Sequence, residues 1–175
     1  MSHPIHRVTR FSIVGPYTLT VAFSDDTEQR MRLTVLAFVG KGRVRPSQFK
    51  RSDLKGAKRS CDTQVCGACT VLVDGMAVSA CTYLALEADG GAVLTVEGLA
   101  EGDSLHPLQR AFLDAGAVQC GFCTSGMLLT ARAMLAETPA PSREDVLHYL
   151  RGSLCRCTGY RKIVEAIMAA AETAR

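Results

Sequence analysis

Apolar and polar positions divide the chain into two unlike halves. In the first, short alternating runs are separated by turn residues: Arg10–Val14 and Thr18–Phe23 flank Gly15-Pro16, which predicts a hairpin. Thr70–Val73 and Met76–Ser79 flank Asp74-Gly75, a dipeptide that reaches positive φ easily and suits a type I′ turn. Ala92–Glu97 reads as a further strand, so this half is expected to form a small mixed sheet, while Arg32–Val39 fits a strand and a short helix equally. From Leu105 the spacing becomes helical. Leu105, Leu108, Phe112 and Leu113 form a stripe, with Pro107 where a first helical turn accepts a proline. Further helices are predicted over 124–137, from Ser142 with a Ser142–Asp145 capping box, and from Thr158 to the end. Met127, Leu128, Met134 and Leu135 are expected in the core of a four-helix bundle. The chain should therefore be α+β, with one domain over 1–97, a linker over 98–105 and a helical domain over 106–175.

With 47% apolar residues, a chain of 175 has enough material for one ordinary domain or two small ones. No apolar run approaches the roughly 20 residues that cross a bilayer, and the first eleven residues lack a secretory apolar stretch or a twin-arginine pair. A cytoplasmic, reducing location is expected. There eight cysteines point to metal rather than to disulfides, because thiols are kept reduced. The net charge of +3 conceals a basic stretch, Lys41 to Arg59, whose only acid is Asp53. No aromatic ladder interleaves with those bases as a single-strand binding groove would require, so a solvated loop is the expected reading and nucleic acid is not expected as a partner.

Cys61-x₄-Cys66-x₂-Cys69 followed by Cys81 is the spacing by which plant-type ferredoxins hold a [2Fe–2S] cluster. One loop must wrap a compact inorganic core, so Gly67 and Ala68 are expected to let the backbone approach and aim amide N–H groups at sulfur. The Asp74-Gly75 hairpin then brings Cys81 back beside that loop. Structural zinc, the alternative, usually draws its thiolates from two similar Cys-x₂₋₄-Cys pairs.

Cys120 and Cys123 are expected on one face of a first helical turn, and Cys155-Arg156-Cys157 in a bend before the last helix. Both pairs then lie near helix N-termini, whose amides and dipoles favour the negative charge of a cluster held by four thiolates. By spacing alone this second set also fits zinc or a redox dithiol.

The stretches Cys66-Gly-Ala-Cys-Thr-Val-Leu-Val-Asp-Gly75, Thr95-Val-Glu-Gly-Leu99, Leu105-His-Pro-Leu-Gln109, Gln119-Cys-Gly-Phe-Cys-Thr124 and Leu154-Cys-Arg-Cys-Thr-Gly-Tyr160 resemble the small iron–sulfur subunit of the molybdenum hydroxylases, a family that includes xanthine dehydrogenase and aldehyde oxidoreductases. The resemblance covers roughly residues 56–168. It implies a ferredoxin-like β-grasp domain followed by the helical domain, a cluster on each cysteine set, and a role as the electron-transfer chain of an oxidoreductase complex. The substrate chemistry then belongs to a large molybdopterin-binding subunit, with FAD commonly on a medium subunit. It further implies that Gln119 contacts the pterin and that Cys157 lies on the side nearest that cofactor.

Ser60, Gln64, Ser125 and Ser153 depart from the family's usual residues, and the resemblance fails over residues 31–56. His106, beside Pro107, is expected to serve helix entry rather than chemistry. The chain shows no nucleophile–base pairing and no phosphate loop, in keeping with a carrier of electrons. A freestanding two-cluster carrier and a zinc-stabilised nucleic-acid module are the rival readings.

Overall fold

The computed structural model describes residues 8–15, 18–23, 28–32, 55–84, 87–88 and 90–173. It begins with an antiparallel meander of β1 (Val8–Gly15), β2 (Thr18–Phe23) and β3 (Glu28–Arg32), in which Ile13 opposes Leu19 and Thr20 opposes Arg30. The expected first hairpin is present. Its third strand was not legible, because Glu28, Gln29, Arg30 and Arg32 hide any apolar alternation and pairing runs through the backbone. The ambiguous segment Arg32–Val39 lies, beyond its first residue, outside the described residues.

A second sheet holds β4 (Thr70–Val73), β5 (Met76–Ser79) and β6 (Val93–Leu94) in the order β5-β4-β6. Asp74 and Gly75 have φ of 50° and 86°, the two left-handed residues that a type I′ turn requires. The Asp74 carboxylate accepts the Ala92 N–H at 2.8 Å and so ties the turn to the approach of β6. Every pairing among the described residues is antiparallel, and the described strands form two three-stranded sheets. The strand expected over 92–97 is shorter: after Leu94 the chain enters a 3-10 turn at Val96–Gly98, which carries Val96 and buried Leu99 against the helices.

Four helices follow: α1 (Pro107–Asp114), α2 (Thr124–Glu137), α3 (Arg143–Tyr149) and α4 (Arg161–Thr173). The His106 ring accepts the Leu108 N–H at 3.2 Å, so the histidine opens α1 as expected. Ser142 and Asp145 cap α3 reciprocally, with Asp145 N–H on the Ser142 hydroxyl at 3.1 Å and Ser142 N–H on the Asp145 carboxylate at 2.8 Å. Ser142→Ala should cost about 1 kcal/mol and lower the melting temperature by roughly 2–4 °C; an unchanged melting curve would show that this cap is idle.

Helix α2 is central. From Ser125 through Ala131 every residue is buried, the signature of a helix enclosed on all sides. Met127, Leu128 and Met134 lie in the core as expected, together with Leu108, Phe112, Val146, Ile163 and Ile167. Leu105 and Leu113, counted with the core stripe, are instead 38% and 57% exposed. The fourth helix starts at Arg161 rather than Thr158, because Gly159 and Tyr160 take φ of 62° and 66°, which no right-handed helix contains.

Strand β4 joins two apolar clusters. Alternation sends Val71 and Val73 into a small core with Cys69, Ala80 and Val93, and Leu72 into the helical core. The helical core thus takes in Leu94 and Val96, from the end of the expected first domain, and Leu99, near the start of the expected linker.

Candidate metal centre

All eight cysteines are free thiols, and they lie in two groups of four. In the first, hairpin β4–β5 returns the chain so that Ala80 N–H bonds Cys69 O at 3.3 Å and Cys81 N–H points at Cys69 Sγ at 3.4 Å. The thiols pair, Cys61 with Cys66 and Cys69 with Cys81. The N–H groups of Thr63, Cys66 and Val65 hold the Cys61 thiol down at about 6, whereas burial pushes Cys69 up to about 11. The amides aimed at Cys61 therefore precede the Gly67-Ala68 pair named by the sequence. Gly67 serves close approach instead: at φ 69°, a Cβ there would lie 2.9 Å from Ser153 Cα and overlap Gly152 O. Gln64, where the family favours glycine, does occupy left-handed space at φ 61°.

The second group pairs Cys120 with Cys157, sulfur to sulfur at 3.4 Å, and Cys123 with Cys155. Cys123 caps α2, but Cys120 lies in the turn before it, at Gly121 with φ 79°, rather than on a helical turn. Burial, then contact with Cys155, pushes Cys123 up to about 12. Burial works the same way on Cys155 but is outweighed by the Thr158 hydroxyl and N–H, which lie 3.1 and 3.4 Å from its sulfur and lower its pKa. Cys120 is lowered, first by the Phe122 N–H and then by Cys157, and Cys157 is raised by its contact with Cys120.

A [2Fe–2S] core takes four thiolates, two on each iron, and each group offers four cysteines. Protonated Cys69 and Cys123 would release their protons as the metal binds.

The two groups meet at one cavity of about 260 Å³, lined by Cys66 of the first, all four cysteines of the second, and Ser60, Ala68, Phe122, Leu154 and Arg156. Around it the chain segments are tied together. Leu154 N–H bonds Cys66 O at 2.9 Å, the Ser125 hydroxyl bonds Gly56 O at 2.5 Å, and Gly56 N–H bonds the Glu97 carboxylate at 2.7 Å. Gly126 lets α2 sit against the first loop, because a Cβ there would overlap Gly67 O. Lys58 Nζ bonds Gly56 O at 2.8 Å and lies 5.8 Å from the centre of the Phe122 ring, and Arg59 pairs with Asp62 at 2.8 Å, so this end of the basic stretch is folded around the site. Residues 33–54, most of that stretch, lie outside the described residues. Gln119 is exposed beside Cys120. Ser125, Gly126 and Tyr160 were not singled out as site residues in the sequence; Ser125-Gly126 at a helix start was the one available signal of a close approach.

A family described as a [2Fe-2S] binding domain matches residues 95–168, which contain the second group of thiols. The nicotine 6-hydroxylase small subunit of Paenarthrobacter nicotinovorans is 51% identical over 115 residues, 66% of this chain and 69% of that one. The nicotinate dehydrogenase small FeS subunit of Eubacterium barkeri is 48% identical over 119 residues, 68% of this chain and 76% of that one. The chain belongs to the small iron–sulfur subunits of the molybdenum hydroxylases. The crystal structure of quinoline 2-oxidoreductase from Pseudomonas putida 86 gives the same answer for the fold, with a TM-score of 0.66 and 52% identity over 69% of this chain and 76% of that one. As a member of this family the chain is the iron–sulfur part of an oxidoreductase complex, with an electron-transfer role. No helix among the described residues is long and apolar enough to cross a membrane.

Proposed function

We propose that this subunit relays electrons from a molybdopterin site on a large partner subunit, through two [2Fe–2S] clusters, to FAD on a medium subunit or to another acceptor. Cys61, Cys66, Cys69 and Cys81 hold one cluster; Cys120, Cys123, Cys155 and Cys157 hold the other. Each supplies one-electron storage when bound. The observation that carries the reading is the single cavity faced by Cys66 and by all four thiols of the second group, which keeps the two cluster sites next to each other. In this reading residues 1–97 form a β-grasp domain with the first site, 106–175 a four-helix bundle with the second, and 98–105 join them.

The direction of flow is the one the family resemblance implies, and the exposure of the thiols agrees with it. Cys120 and Cys157 are exposed and rimmed by exposed Val118, Phe122 and Leu154, an apolar margin suited to docking on the large subunit. Cys69 is buried in the small core of the second sheet. Electrons then enter at the second site and leave by the first, and Gln119, beside Cys120, contacts the pterin.

Purification from the native host tests the assignment. The chain is expected to elute with a large subunit, with molybdenum in the complex and a visible absorbance that bleaches with dithionite. A colourless chain eluting alone with zinc would refute it.

A further inference from the structure

Tyr160 combines two unusual features. It is a bulky residue held at φ 66°, directly after Gly159 at φ 62°, in a region that costs a non-glycine residue on the order of 1 kcal/mol or more. Its hydroxyl also reaches back into the second thiol loop, accepting the Cys155 N–H at 2.9 Å and donating to Ser153 O at 3.0 Å. Such strain persists only where surrounding contacts hold it.

The geometry of the loop gives those bonds a purpose. Ser153 is extended, with φ −127° and ψ 106°, so Ser153 C=O and Cys155 N–H lie on one edge and Leu154 N–H on the other. The Leu154 edge bonds Cys66 O, in the first thiol loop. The phenol therefore closes one edge of a segment whose opposite edge rests on the other cysteine group. It also keeps the Cys155 N–H occupied and away from sulfur, where an amide donor would favour a reduced, more negative cluster.

We propose that Tyr160 is a positioning residue that sets both the reduction potential of the second cluster and its coupling to the first, by clamping Ser153 to Cys155 against Cys66. This rests on the reading that the second thiol group holds a [2Fe–2S] cluster, which the iron and sulfide content of the unaltered subunit tests separately.

The test is Tyr160→Phe in the complete subunit with its native partners, followed by redox titration and electron paramagnetic resonance. The iron content should stay unchanged. The second-site signal should titrate at a higher potential, by up to about tenfold in its reduction equilibrium, or about 59 mV, as expected for redirecting one hydrogen bond. The magnetic splitting between the two reduced clusters should weaken, and the first-site potential should not move. Unchanged potential and splitting, with or without a lower melting temperature, would make Tyr160 merely structural and overturn the proposal. If Tyr160→Phe loses iron, 3-fluorotyrosine at position 160 decides: it keeps the ring and hydroxyl but weakens the acceptor. A smaller shift in the same direction supports the clamp, and no shift overturns it.

Discussion

Gly126→Val will strip iron from the first cysteine group and lower the melting temperature of the subunit. A Cβ at this position would overlap Gly67 O and lie 3.0 Å from Gly67 C and 3.5 Å from Ala68 Cα, all backbone atoms of the loop that carries Cys66 and Cys69. No rotamer relieves a backbone clash, so either α2 or the loop must move. Neither has room: α2 is buried from Ser125 through Ala131, and Gly67 is itself packed on Gly152 and Ser153. Overpacking of this kind costs about 3 kcal/mol, or roughly 6–12 °C in a chain of this size. Iron analysis and a melting curve read the result directly. A variant with unaltered iron and stability would mean that α2 does not rest on the loop.

Cys69→Ser should halve the iron, removing the first-site signal and leaving the second. Cys69 is 3% exposed and faces Val71, Val73 and Ala80 in the small core, whereas the second group is supported by Phe112, Met127 and Ile163 in the helical one. The bond from Leu154 N–H to Cys66 O does connect the two sites, so a modest change in the surviving signal is expected rather than none. Quantifying both signals in reduced protein checks this. Loss of both would show that the two groups assemble as one cooperative unit.

What could be read from the sequence followed from local rules. The hairpin at Asp74-Gly75, the span of α2 and the Ser142–Asp145 cap each depend on residues adjacent in the chain, and the structure has all three. The first cysteine group was legible because its spacing reflects wrapping by a single loop and a hairpin return, both local; the second, drawn from segments over thirty residues apart, was legible only through the family resemblance. The start of α4 was misread because Thr158 resembles a helix cap, while the positive φ of Gly159 and Tyr160 is held by bonds to Ser153 and Cys155. β3 was invisible because it pairs through its backbone while its side chains are mostly polar. The closeness of the two groups was equally hidden. It depends on Gly67 and Gly126, two glycines from separate segments: a Cβ on Gly67 would overlap the backbone at Gly152 and Ser153, and one on Gly126 would overlap Gly67 O.

The central claim, two [2Fe–2S] clusters on one chain, stands or falls on metal and sulfide analysis of anaerobically purified subunit. The account predicts about four irons and about four acid-labile sulfides per chain, two of each per cluster, with two distinct paramagnetic signals on reduction. Stoichiometric zinc without sulfide would contradict it.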